Sequence, residues 1–236
     1  MSIPNMLNIM KDTAQAVSVA LETHKNSEVL LLLAGGSALD VLEYVDTSSI
    51  NEYTTIMMMD ERFSSKPDEN NYLQMSKSSF FEKITKNEAY TIPTVPEEGE
   101  TLESFAEILN NTLHTYFSEH PNATVLALFG IGADGHTAGI FPMKNVDFVD
   151  TYGQGELYVP VHTAPAPFTQ RSSITPKCIM QHVTTAFVYA VGAEKTAILQ
   201  TLHDPYELHE LPAYIHTQIE SKIFTDLPLQ REQTST

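Results

Sequence analysis

Apolar positions along this 236-residue chain follow two rhythms. Between residues 6 and 25 they recur at Leu7, Met10, Ala14, Val17 and Leu21, a three-and-four spacing that predicts an amphipathic helix. Elsewhere they come in short unbroken runs at 29–33, 54–59, 125–129 and 184–191. Each run is bounded by glycine or charge, the mark of a strand buried on both faces. Helical patterns fill the intervals at 38–44, 71–81 and 101–119, and again from 192–195 to about His203. Thr175-Pro176 reads as a cap and first-turn proline opening a further short helix. Strand and helix thus alternate, which predicts an α/β fold with a parallel sheet and helices on both faces.

The strand exits hold the chemistry. Four of them carry glycine or polar residues: Gly35-Gly36-Ser37, Asp60-Glu61-Arg62, Asp134-Gly135-His136 and Gly192 to Lys195. If the strands are parallel neighbours, these converge on one edge of the sheet, where open α/β sheets bind ligands. Gly130, Gly132 and Gly135 spell GxGxxG, yet only residues 137–141 separate this loop from Pro142. A dinucleotide site needs a long helix there to face the pyrophosphate, so the glycines instead suit tight turns around a smaller ligand. Gly35-Gly36-Ser37 fits an oxyanion site of free N–H groups, and equally an ordinary turn with Ser37 as helix cap. Arg171 and Lys195 supply full positive charge for a phosphate, or are surface charges. Asp60-Glu61-Arg62 is either a satisfied ion-pair cluster or a cation set beside a reacting carbonyl. Asp134 and His136, two apart, can orient one another, hold a metal weakly or present a general base.

Composition narrows the partners. With 42% hydrophobic residues the chain can bury a large core, and we expect one α/β domain over 1–236 with 228–236 as a tail. Thirteen basic residues against 30 acidic leave a net charge of −17, which argues against nucleic acid and anionic membranes. An anionic substrate must therefore meet local cations. Arginine occurs only at 62, 171 and 231, and Arg231 lies in the polar tail. The one cysteine, Cys178, allows no internal disulfide and no zinc framework and reads as a buried small residue. No apolar run reaches membrane-spanning length and the first residues lack a basic region followed by an apolar core, so a cytoplasmic protein is expected. The proline-rich stretch 162–171, HTAPAPFTQR, is a candidate lid or substrate loop, with His162 in reach of the site.

The segments LLLAGGS, MMDERFSSKPDENNY, FGIGADGHTAGIFP and VGAEK, in this order, resemble the 6-phosphogluconolactonase family over about residues 30–226. The resemblance implies a Rossmann-like parallel-sheet core and hydrolysis of 6-phospho-D-glucono-1,5-lactone, a step of the oxidative pentose phosphate pathway, without cofactor or metal. It implies His136 as the base that activates water and Arg62 as the group steadying the lactone oxygen. Asp134 would orient the site, and Gly35, Gly36, Ser37, Arg171 and Lys195 would hold the phosphate. The related amino-sugar-phosphate deaminases typically carry glutamate where this chain has Phe141 and tyrosine where it has Arg62. A deaminase or isomerase using Asp60 as proton-transfer base is the alternative, and a silent sugar-phosphate binder a third reading. The first motif reads GGSAL where the family usually has GGSTP, and Asn70 stands at a usual serine. Oligomeric state stays open.

Overall fold

A computed structural model describes residues 3–227 of the chain. Six strands form a parallel sheet: β1 (Val29–Leu33), β2 (Thr54–Met58), β4 (Tyr90–Ile92), β5 (Thr124–Gly130), β8 (Thr185–Tyr189) and β9 (Ser221–Phe224). Their spatial order is β4-β2-β1-β5-β8-β9. β1 lies inside the sheet, and every one of its residues is buried, as the unbroken run VLLLL requires. Burying each such leucine contributes about 1.5–3 kcal/mol. The chain runs from β1 outward through β2 to β4, then returns to the other side of β1 as β5. That reversal opens a crevice between the β1 and β5 exits, the place where this architecture takes ligands.

Helix α1 (Ile3–His24) buries Ala14, Val17 and Leu21 and packs against β5, β8 and β9. The predicted helix at 38–44 is one turn of α2 (Ala38–Val41) tightening into a 3-10 turn at Leu42–Tyr44. The single helix expected at 71–81 is two, α3 (Asn71–Met75) and α4 (Ser79–Lys86). Ser78 leaves helical geometry between them, and its Oγ accepts the Phe81 N–H at 3.2 Å, the competition with the backbone that makes serine a cap. Helix α5 (Leu102–Glu119) opens on a reciprocal Thr101/Ser104 capping pair. Helix α6 (Asn145–Tyr152) falls where the apolar pattern predicts no element, whereas α7 (Pro176–His182) starts at the expected Thr175 cap. Helix α8 (Thr196–Thr201) follows a 3-10 turn at Ala193–Lys195.

A second, three-stranded antiparallel sheet is the main addition to the predicted architecture. It joins β3 (Asp60–Arg62), β6 (Tyr158–Val161) and β7 (Arg171–Ile174) in the order β3-β7-β6. Residues 60–62 are therefore a strand in their own right, one residue beyond β2. The pairing sets Asp60 opposite Ser173 and Arg62 opposite Arg171. No helix among the described residues is long and apolar enough to cross a membrane. The expected tail at 228–236, with Arg231, lies outside the described residues.

Candidate active site

The β1, β2–β3, β5 and β8 exits meet around a cavity of about 280 Å³. Gly35, Gly36, Ser37, Asp60, Arg62, His136, Arg171 and Lys195 all line it, joined by Asn71, Gly130 and Gly132. Asp134 stands behind His136. The nine residues given a catalytic or phosphate-binding role in the sequence are thus gathered at one place.

The loop after β5 is built to hold one histidine. Asp134 Oδ1 accepts the His136 backbone N–H at 3.2 Å and lies 2.5 Å from His136 Nδ1. With a carboxylate on Nδ1 the proton belongs on that nitrogen, which leaves Nε2 with its lone pair free for the cavity. Burial pushes the Asp134 carboxyl up, but the bond to His136 and its charge bring it below the usual aspartate value. Gly132 is required here because a Cβ would run into the His136 ring and the Asp134 carboxylate. Gly135 holds φ at +84°, a conformation side-chain-bearing residues rarely adopt. In place of a crossover helix, Thr137 and Ile140 close a tight turn, so the GxGxxG does not open a dinucleotide site.

Residues far along the chain pin this loop. Gly139 N–H donates to Ser173 Oγ of β7 at 2.9 Å, and Tyr152 OH of α6 donates to Gly139 O at 2.8 Å. Ala213 N–H donates to Gly135 O at 2.9 Å. Thr137 Oγ1 donates to Gly130 O at 3.0 Å and lies 2.9 Å from Nε2 of the fully buried His216, whose pKa burial lowers to about 3.

Asp60 is buried, with Oδ2 at 3.8 Å from an Arg171 guanidinium nitrogen. Burial raises its pKa, against the pull of Arg171, His136 and Arg62. The neighbouring Glu61 has no exposure and points the other way. It accepts the N–H groups of Arg62, Asn71 and Tyr72 and the Thr94 hydroxyl, fastening β3 to the start of α3. Burial pushes its carboxyl up to about 8, and the three backbone donors keep it from rising further. Within Asp60-Glu61-Arg62, Glu61 is an internal anchor held by backbone N–H groups and a hydroxyl rather than by an ion pair, while Asp60 and Arg62 line the cavity. Asn70, at the unusual position, caps α3 through Leu73 N–H at 2.8 Å and also donates to Thr94 O at 2.8 Å, a second bond that a serine hydroxyl would not duplicate.

Ser37 stands at the N-cap position of α2, but its side chain makes no cap bond and lies exposed on the cavity. Gly36 turns with φ +65°, and Gly35 approaches Asn71 so closely that a Cβ would overlap the carboxamide. Because α2 is a single turn, little helix dipole backs this corner, and Lys195 and Arg171 carry most of the positive charge. His162 falls away from the site; its Nε2 pairs with Glu103 at 3.1 Å. Asn71, Phe168 and His216 carried no marked sequence signal, although Asn71 directly follows the α3 cap. Phe141, buried next to Pro142, sets its ring 4.9 Å from His136 and 5.4 Å from the Arg171 guanidinium, so no carboxylate occupies that position.

The family model described as glucosamine-6-phosphate isomerases/6-phosphogluconolactonase matches residues 6–224. The chain is 29% identical to human 6-phosphogluconolactonase over 131 residues, 55% of this chain and 47% of that protein. It is 25% identical to the Borreliella burgdorferi 6-phosphogluconolactonase over 160 residues, 66% of this chain and 64% of that one. The matches thus span about half and somewhat under two thirds of these relatives' lengths. Among solved structures, a 6-phosphogluconolactonase from Shewanella baltica OS155 superposes with a TM-score of 0.76 at 18% identity, covering 93% of this chain and 94% of that one. The Trypanosoma brucei 6-phosphogluconolactonase gives 0.69 at 19%, covering 92% of each. At these identities the structural likeness speaks for the fold. Together with the family match across nearly the whole chain, it shows that this protein belongs to the glucosamine-6-phosphate isomerase/6-phosphogluconolactonase family.

Proposed function

We propose that this protein hydrolyses 6-phospho-D-glucono-1,5-lactone to 6-phospho-D-gluconate in the oxidative pentose phosphate pathway. The carrying observation is the Asp134–His136 pair at 2.5 Å, set in a cavity that also holds Arg62, Arg171 and Lys195. A lactone is an activated ester, so one positioned base and one oxyanion stabiliser suffice, each worth on the order of 10²-fold or more. Lys195, Arg171 and the Gly35-Gly36-Ser37 turn bind the phosphate. Water gives a proton to His136 Nε2 as its oxygen bonds to C1, and Arg62 faces the oxyanion that forms. Collapse of that intermediate breaks the bond from C1 to the ring oxygen, and His136 returns the proton to the departing oxygen. Asp134 holds the imidazole and stabilises its charged form. Asp60 keeps Arg171 in place.

The relatives bearing the lactonase name support the reading, as do Phe141 and Arg62 at positions where the deaminases typically differ. A sugar phosphate crosses bilayers poorly because its charge must leave water, so a cytoplasmic location goes with this substrate. Product analysis separates the alternatives: the purified protein should form 6-phosphogluconate from the lactone and release no ammonia from glucosamine-6-phosphate. Ammonia release would establish the deaminase instead. Ligand-induced thermal stabilisation without turnover of either would establish a silent binder.

A further inference from the structure

The antiparallel register of β3 and β7 places Arg62 and Arg171 directly opposite one another, and like charges in that relation repel. Asp60 answers Arg171, but the Arg62 guanidinium has one hydrogen bond, NH1 to Glu69 O at 3.1 Å, and its buried Nε has no partner. Something else must set where Arg62 points. The proline-rich stretch supplies it: between exposed residues 165–167 and 169–170, Phe168 alone turns inward and is half-buried. Its ring lies 4.7 Å from the Arg62 guanidinium carbon and 6.0 Å from that of Arg171. The segment is fastened at Arg171 and at the residue after Arg62, since Arg171 Nε donates to Phe168 O at 3.3 Å and Phe63 N–H donates to Gln170 O at 3.1 Å. Arg171 in turn faces the Phe141 ring, which abuts His136. Charged groups and rings alternate from Arg62 through Phe168, Arg171 and Phe141 to His136.

We infer that Phe168 is a positioning residue: its ring separates the two active-site guanidinium groups and holds Arg62 aimed at the cavity. The negative ring face attracts both cations at once, which offsets their repulsion where no carboxylate among the described residues pairs with Arg62 at salt-bridge distance. Ala164 anchors the stretch in the core, and the residues that flank Phe168, 165–167 and 169–170, are exposed. The inference rests on the lactonase reading only for its kinetic effect; the geometry it assigns concerns anion binding in general.

The test compares Phe168→Ala, Phe168→Leu and Phe168→Tyr in the full chain by kcat, KM, melting temperature and affinity for inorganic phosphate. Alanine and leucine should each lower kcat/KM by about tenfold, the scale of a partly desolvated cation–π contact. The loss should fall more on kcat than on KM, because Arg62 is the nearer guanidinium, and tyrosine should restore it. Because the ring also faces Arg171, which binds the phosphate, phosphate affinity should fall severalfold in the alanine and leucine variants while melting temperatures stay near wild type. Wild-type kinetics in the leucine variant would overturn the inference, as would losses that track melting temperature. If the wild type turns over no lactone, the lactonase reading fails, and phosphate affinity alone still decides: a value unchanged by Phe168→Ala overturns the positioning role.

Discussion

A single carboxylate oxygen organises the reacting centre. Asp134 Oδ1 takes both the backbone N–H and the Nδ1 of His136, so one atom sets the loop, the ring orientation and the tautomer. Asp134→Asn keeps the size but can offer its amide N–H to Nδ1, which moves the imidazole proton to Nε2 and removes the base. We expect kcat to fall on the order of 10³-fold with little change in KM, within the range that a positioned general base contributes. Steady-state kinetics of the purified variant check this, and a change confined to KM would contradict it. The pairing was legible because Asp134 and His136 are two residues apart in one loop. Phe168 and His216 were not, since each acts on partners more than 70 positions away, or across a sheet whose register no local pattern announces.

At the level of elements, the parallel sheet was readable because β1, β2, β5 and β8 are buried on both faces and therefore appear as continuous apolar runs. The small sheet was not. β3 has three residues, two of them charged cavity residues, β6 contains Pro160, and β7 reads Arg-Ser-Ser-Ile; short polar strands with proline carry little periodic signal. The 3-10 segment Pro212–Thr217 also went unread, yet it supports the β5 loop through Ala213 and His216. Its histidine gives that support a pH signature. Burial depresses the His216 pKa from 6.5 to about 3, so the folded state resists a proton that the unfolded chain accepts. Stability from this group is complete above 6.5 and drains away as pH falls towards 3, by at most about 1.4 kcal/mol per pH unit. Urea unfolding at pH 7 and pH 5 should show a smaller difference in His216→Gln than in wild type. Equal differences would place the pH dependence elsewhere.

Across the whole molecule, the two sheets are one connected framework. β3 follows β2 after Met59, whose carbonyl accepts the Ile174 N–H of β7 at 2.8 Å, while Met59 N–H donates to Leu33 O of β1 at 2.8 Å. We propose on this ground that the chain unfolds as one domain, with a single calorimetric transition whose van't Hoff and calorimetric enthalpies agree; two resolved transitions would contradict it. The net charge of −17 makes the cluster of Arg62, Arg171 and Lys195 stand out, because an anionic substrate must be captured locally against the field of the rest of the protein. The most direct test of the account is the rate of 6-phosphogluconate formation from freshly generated lactone, at slightly acidic pH where the spontaneous reaction is slow, for wild type and His136→Ala. The account predicts strong acceleration by the wild type and loss of at least about 10²-fold in the variant with the fold retained. Equal rates in the two proteins would remove His136 from the mechanism, and a wild type no faster than buffer would remove the lactonase assignment.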